Sequence, residues 1–348
     1  MRIDVFLPGM YAGDGVSHDA ICIRDAMRAH GIQSDIFADH AHTSRECRAT
    51  AAHYETYAAR REPADAVLYE FSSASPVTTF LAARGEPLIL RYQNVTPPGY
   101  FEPFDPGFAD QLRLAREELA SLAMRTAATV SSSRFNAAEL QTLGFRANHV
   151  LPNFCRLPRP SPPPAPEAPP RIVFVGRVAP NKCQHHAVQA FATFEAATQS
   201  GGELVLAGSL ESCPTYSTLV RALARETGAN IRFTGHLADA SPVYAGAHLF
   251  LSMSEHEGFC MPVAEAMAAG VPVLAYAAAA VPDTVGNGGI LFSRKSIPDV
   301  AELVAALVGD SARLSALREA GMTRVRDFAH DRLAGALAGI LADCGFRP

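Results

Sequence analysis

Short β-rich runs alternate with helical stretches along almost the whole chain, and no other feature restricts its fold so strongly. In the first half, strands are expected at Arg2–Leu7, Ser34–Phe37, Ala66–Phe71, Leu88–Tyr92, Thr129–Ser132 and His149–Leu151. Helices are expected between them over Val16–His30, Ser44–Arg61, Pro76–Arg84, Pro106–Arg125 and Arg134–Leu143. Such alternation favours a parallel sheet covered by helices on both faces, because each helix carries the chain back to start the next strand. In sheets of this kind ligands meet the crevice beyond the carboxyl ends of the strands.

The alternation is interrupted once, by LPRPSPPPAPEAPPR at residues 157–171. So many prolines continue neither a helix nor a central strand, and they favour an extended, semi-rigid connector. A proline-rich ligand for a partner is the other use of this composition, but linkers are the commoner one. Beyond it the pattern restarts, with strands expected at Ile172–Gly176, Glu203–Gly208, Ile231–Gly235, Leu249–Ser252 and Val271–Ala275. Helices are expected around Cys183–Thr198, Ser217–Thr227, Ala240–Ala245 and Pro262–Ala269, and late ones over Ile297–Val308, Ser311–Ala320 and Asp331–Cys344. A chain of 348 residues is long for one core. The fold class expected is therefore α/β: two doubly wound, Rossmann-like domains facing a cleft, over residues 1–156 and 172–327.

Composition narrows the function classes. A net charge of −5, with no basic run longer than two residues, offers nucleic acid no general attraction. No stretch approaches the roughly 20 apolar residues of a membrane span, and the first residues, MRIDVFLPGMY, read as a strand rather than a signal peptide. Seven cysteines lie at 22, 47, 155, 183, 213, 260 and 344 without CxxC or CxxH spacing, so reduced thiols, no zinc site and a cytoplasmic location are expected.

The densest motif is EGFCMPVAEAMAAGVPV, residues 257–273, directly after an apolar strand. Pro262 suits the first position of a helix and Gly270 its end. The amides of Gly258, Phe259, Cys260 and Met261 then converge at a helix N-terminus, where exposed N–H groups and the helix dipole bind anions such as a diphosphate. Glu257 precedes that helix and Glu265 lies inside it. This spacing lets one carboxylate meet a transferred group while the other accepts hydrogen bonds from a ribose; taken alone, either would be a solvated charge. A second motif, GRVAPNK, follows the first strand after the linker. Arg177 offers a planar fork for two phosphate oxygens and Lys182 a compact charge.

In these segments the second half resembles the family 4 retaining glycosyltransferases, of the group 1 glycosyl transferases, which have the two-domain GT-B fold. FTGHL at residues 233–237 resembles the family's loop near the nucleotide base, and VSSSRFNAAEL at residues 130–140 its inner N-domain strand and helix. The resemblance implies that Arg177 and Lys182 grip the donor diphosphate and that Gly258–Met261 cradle it. It also implies that Glu265 holds the ribose, Glu257 meets the sugar, and His236 and Leu237 lie near the base. The last helix, about 328–348, is then expected to cross back onto the N-terminal, acceptor-side domain.

Two N-terminal features are less typical. Gly13-Asp14-Gly15-Val16-Ser17 follows the first strand where the family's loop nears the donor phosphates, so Gly15 is a donor-binding candidate; a plain strand–helix turn reads equally well. His18 stands where a dinucleotide fingerprint has its third glycine, which argues against that reading. Many relatives carry a cleft histidine in a segment resembling YHN-x-TP, whereas this chain has Tyr92-Gln93-Asn94-Val95-Thr96-Pro97. Glutamine cannot move a proton at neutral pH, although it can hydrogen-bond a sugar. Gln93, Glu70 and His18 are thus the candidates for acceptor or sugar contacts. The remaining histidines, including His185 and His186, read as solvated or core-edge residues.

The expectation is a metal-independent transfer of a hexose from a UDP- or GDP-sugar, used as substrate with no cofactor, to a glycan, glycolipid or small-molecule hydroxyl. Polysaccharide or glycolipid assembly is the setting the family implies, with peripheral membrane contact if the acceptor is lipid-linked. A catalytically degenerate sugar-nucleotide-binding or scaffold protein and a GT-B epimerase or phosphorylase are the alternatives.

Overall fold

The first strand, β1 (Ile3–Leu7), is buried along its whole length, as a strand in the middle of a parallel sheet covered on both faces must be. It belongs to a computed structural model that describes every residue except Arg61, Ala147, Pro166 and Pro348. Three of those positions fall in the expected helix 44–61, the proline-rich linker and the C-terminal segment, and all four lie outside the described residues. By its contacts the chain divides into two units: Met1–Pro98 with Gly107–Cys155 and Asp327–Pro348, and Gly99–Pro106 with Arg156–Arg326.

In unit 1, β1 is followed by α1 (Gly15–Ala29), β2 (Ile36–Ala38), β3 (Ala52–His53), β4 (Ala66–Phe71), α2 (Pro76–Ala82), β5 (Leu88–Tyr92), α3 (Pro106–Ser121), β6 (Thr126–Ser131), α4 (Arg134–Thr142) and β7 (Asn148–Val150). The described strands form one parallel sheet in the order β3-β2-β1-β4-β5-β6-β7. Its order reverses between β1 and β4, so the loops leaving those two strands part in opposite directions. Ile3, Val5 and Leu7 pack with Ile23 and Met27 of α1.

Unit 2 repeats the scheme with β8 (Arg171–Val175), α5 (Gln184–Thr198), β9 (Glu203–Ala207), α6 (Pro214–Thr227), β10 (Ile231–Gly235), α7 (Ser241–Tyr244), β11 (Leu249–Ser252), α8 (Met261–Ala268), β12 (Val273–Tyr276), α9 (Val281–Val285), β13 (Ile290–Phe292), α10 (Ile297–Val308) and α11 (Ser311–Arg324). Its parallel order is β10-β9-β8-β11-β12-β13, which puts the reversal between β8 and β11. The last helix, α12 (His330–Asp343), belongs to unit 1, where Leu333, Leu337 and Leu341 join the core beneath α1. Their spacing of four residues makes one apolar stripe, and each buried leucine is worth about 1.5–3 kcal/mol.

Three expectations are corrected. The helix over 44–61 is instead two 3₁₀ turns, Arg45–Ala49 and Tyr54–Ala59, around the short strand β3. Its composition favours helix, but β3 extends the sheet through Phe37↔Ala52 and Ala38↔His53, and Tyr57 is drawn in against Phe6 and Phe37 at 5.1 Å from each ring. Tertiary packing outweighs propensity there. Second, α9 and β13 were not anticipated. Third, the segment Gly99–Pro106 clusters with unit 2, through the Phe104 ring edge-on to Tyr216 at 5.3 Å and Tyr100 beside His256 at 6.2 Å.

The proline-rich run is tied to unit 2 as well, because the Ser161 amide donates to the Ala269 carbonyl at 3.1 Å and Arg318 donates to the Ser161 carbonyl. No disulfide joins the described cysteines, and no described helix is long and apolar enough to cross a membrane.

Candidate functional site

The two motifs of the second half leave the carboxyl ends of β8 and β11, the strands that flank the reversal of unit 2. After β8 the backbone turns at Gly176 and passes very close to the end of β9: a Cβ on Gly208 would stand 2.1 Å from the Gly176 carbonyl oxygen. Gly208 is therefore required for this approach. Val178 then donates to the Ser209 carbonyl at 2.8 Å, and the loop is gripped from within by Gln184, fully buried at the start of α5. The Gln184 Nε2 donates to the Arg177 carbonyl at 2.9 Å, while its Oε1 accepts from the Ala179 amide at 3.4 Å. The Arg177 side chain is exposed.

After β11 the chain runs through residues 253–260 into α8. Cys260 is the N-cap, held at φ +71°, and makes no side-chain capping bond; its thiol is pushed well above the usual range by burial. The turn is bolted from α9: Thr284, fully buried, donates to the Phe259 carbonyl, and the Ala280 amide donates to the Glu257 carbonyl at 3.3 Å. The backbone of residues 258–261 thus arrives at a helix start in a fixed conformation, the geometry that suits an anion.

Asn181 ties the two loops together. Its Nδ2 donates to the His256 carbonyl at 3.1 Å and its backbone carbonyl accepts from Glu255 at 2.8 Å, while its buried Oδ1 has no partner among the described residues. This clamp brings Lys182 to Glu257: Nζ lies 2.5 Å from Oε2, with 17% and 9% of the two side chains exposed. Further along α8, Glu265 accepts a hydrogen bond from the Tyr244 hydroxyl at 2.8 Å. Burial raises the Glu265 carboxyl above the ordinary carboxylate value, an effect that the Tyr244 bond and Arg156 oppose. His236, exposed, and Leu237, part-buried, follow the edge strand β10, two strands from β8. At the usual spacing that is about 10 Å away along the same edge.

The candidates in the first half occupy the carboxyl side of the unit 1 sheet. Gly15 opens α1, whose start is capped by Asp14 accepting from the Ser17 amide at 2.8 Å. Gln93 is held by its neighbours: Nε2 donates to Asp19 at 2.7 Å and to Glu70 at 2.8 Å, and Oε1 accepts from Asn153 at 2.7 Å. A histidine ring cannot reproduce two donations from one nitrogen together with a carbonyl acceptance. Glu70 has no exposed surface, and its Oε1 has no partner among the described residues. Burial and then the Asp19 charge raise its carboxyl well above 4.5, against Arg91 and the Gln93 bond. Arg91 and Asp19 form a fully buried pair at 2.9 Å, and Arg91 also donates to the Leu151 and Pro152 carbonyls.

Among the described residues, two clusters gather side chains that can ligate metals: His18, Cys22 and His330 in unit 1, and Cys183, His186 and Glu255 in unit 2. The HxxxC spacing of His18 and Cys22 on α1 is a sequence signal for the first cluster, distinct from CxxC or CxxH spacing. Gln184, Asn181, Tyr244, Gly208 and Thr284 were missed. Each acts on a partner far along the chain or through backbone, and that leaves no motif to read.

These two reversed parallel sheets with interleaved helices define a GT-B fold. A solved structure of Anabaena HepE in complex with UDP and glucose superposes with a TM-score of 0.76, covering 99% of this chain and 100% of that one at 17% identity. Residues 160–324 match the family "Glycosyl transferases group 1". Among curated relatives, a GDP-mannose-dependent phosphatidylinositol monomannoside mannosyltransferase of Mycobacterium tuberculosis is 31% identical over 186 residues, 49% of this chain and 47% of its own length. The O-antigen chain mannosyltransferase B of Escherichia coli is 28% identical over 161 residues, 45% of this chain and 41% of its own length. The matches thus span less than half of those relatives.

Proposed function

We infer that this chain transfers a hexose from a nucleoside diphosphate sugar to an acceptor hydroxyl, in polysaccharide or glycolipid assembly. The observation that carries this reading is the Lys182–Glu257 pair at 2.5 Å, beside the start of α8 and above the reversal of a parallel sheet. An ammonium and a carboxylate that neutralise each other before ligand arrives can be separated by one that offers a better partner to each. The diphosphate takes Lys182, and the sugar hydroxyls take Glu257.

In this reading the backbone of residues 258–261 receives the diphosphate, and Arg177 adds a planar fork for its oxygens. Glu265, oriented by Tyr244, accepts hydrogen bonds from the ribose, and the base lies toward His236 and Leu237. As the glycosidic bond breaks, negative charge grows on the leaving phosphate, where Arg177, Lys182 and the α8 amides stabilise it. The family resemblance supports retention of anomeric configuration, with the departing phosphate taking the acceptor proton. Dispersed thiols suit a reducing, cytoplasmic compartment. A second reading is a nucleotide-sugar binder without transfer, favoured by one observation: Gln93, where the family resemblance implies a histidine in many members, has its amide committed to Asp19, Glu70 and Asn153.

The test is a thermal-shift panel of UDP, GDP and their sugar conjugates, followed by product analysis with the donor that binds. A ligand at a hundredfold excess over its dissociation constant stabilises the folded state by about 2.7 kcal/mol. A selective shift that Glu265→Ala abolishes, with sugar release or transfer, supports the enzyme. A shift with neither transfer nor donor hydrolysis supports the binder, and no shift with any nucleotide refutes both.

A further inference from the structure

We propose that His18, Cys22 and His330 form a site in unit 1 for a divalent cation of borderline softness, zinc being the type. His18 and Cys22 stand four apart on α1, which puts them on one face of the helix. His330 opens α12, and its ligand atom lies within 4.8 Å of theirs. His18 Nε2 and Cys22 Sγ are 3.5 Å apart. Bond lengths of about 2.3 Å to sulfur and about 2.0–2.1 Å to nitrogen at a tetrahedral angle require a separation of about 3.6 Å. The pair is thus already spaced to share one ion.

The third residue can offer one nitrogen to an ion. His330 Nε2 lies 2.8 Å from the Cys155 carbonyl oxygen, which only accepts, so that nitrogen carries the proton and Nδ1 keeps its lone pair. A backbone carbonyl on the far nitrogen is the usual way in which a metal-bound imidazole is aimed. Phe154 packs edge-on to the same ring at 5.4 Å. Below the site, α1 and α12 are joined through Ile23, Met27, Leu333 and Leu337, so its two halves are held in place by core packing. Two imidazoles and a thiolate select zinc-like ions over magnesium or calcium, which take oxygen ligands. On binding, the Cys22 thiol gives its proton to solvent.

The cluster in unit 2 differs. Lys295 Nζ stands 2.7 Å from Glu255 and 3.4 Å from His186, so an ammonium already holds the position a cation needs. Burial also pushes the Cys183 thiol up to about 11.

The experiment is Co²⁺ titration of the full chain, stripped of metal and kept reduced, read by optical absorption and by competition with Zn²⁺. The expected result is a single equivalent giving intense visible bands and a thiolate-to-cobalt charge-transfer band, both removed by Zn²⁺. Cys22→Ser should abolish the charge-transfer band. His330→Gln should weaken binding measurably, since it removes one of the three ligands, and His186→Ala should change neither. Absence of the charge-transfer band in wild type, its survival in Cys22→Ser, or its loss only in His186→Ala overturns the proposal. None of these readouts depends on sugar transfer.

Discussion

An ion pair stands near the carboxyl end of each sheet, and the two pairs differ in what surrounds them. Asp19 and Arg91 in unit 1 have no exposed surface, and Arg91 spends its remaining donors on the Leu151 and Pro152 carbonyls and on Asn153. Lys182 and Glu257 in unit 2 keep 17% and 9% of their side chains exposed, beside a helix start. The first pair is locked by hydrogen bonds that a ligand would have to replace in full. The second lies where solvent reaches it and where an anion can compete for the lysine. Burial therefore separates a pair that holds a fold from a pair that can do chemistry.

The contrast is broken most severely at Asp19. Asp19→Ala leaves the Arg91 guanidinium buried without its counter-charge, which costs about 3–5 kcal/mol; urea unfolding should show that loss. Lys182→Ala should act in the opposite manner. Stability should fall by less than in Asp19→Ala, because solvent still reaches Glu257, while turnover falls about a hundredfold or more. A large loss of stability with unchanged turnover would reverse the roles assigned to the two pairs.

Smaller changes sharpen the picture within unit 2. Tyr244→Phe removes one hydrogen bond to Glu265 and should cost about 1 kcal/mol of stability, with weaker nucleotide binding measured by calorimetry. Glu265 and His185 give pH dependences of opposite sign. The Glu265 carboxyl is raised in the fold, so its contribution is present below 4.5 and lost as pH rises through the raised value; melts of Glu265→Gln should lack that decline. His185, beside Tyr216 at 2.8 Å, is lowered to about 4 by burial and then by electrostatic repulsion from His186 and Lys295. Its contribution is lost as pH falls from 6.5 through about 4, and His185→Phe should flatten that acid limb.

Much of the architecture was legible because parallel α/β sheets write a local signal. The strands Ala66–Phe71, Leu88–Tyr92, Ile231–Gly235 and Leu249–Ser252 were read with the bounds the structure gives them. The helix start at Met261 was legible through Pro262, since proline suits the first turn of a helix. Segment 44–61 was misread because its helical composition was overridden by an edge strand and by a tyrosine needed in the core. The short α9 and β13 carried too few residues for a period to show.

The candidate site divides along the same line. Local order along the chain determined that cations would follow β8 and that a helix would start just past Glu257, while the family resemblance alone put Gln93 where many relatives carry histidine. Only the tertiary structure decided that Lys182 meets Glu257, that Tyr244 orients Glu265, and that Gln93 is bound on three sides by Asp19, Glu70 and Asn153. It also decided that His330, 312 residues beyond His18, faces the same helix of unit 1. Backbone preferences act over a few residues and leave a pattern in the sequence. Hydrogen bonds and ion pairs act over a few ångströms, between residues that only the folded sheet brings together.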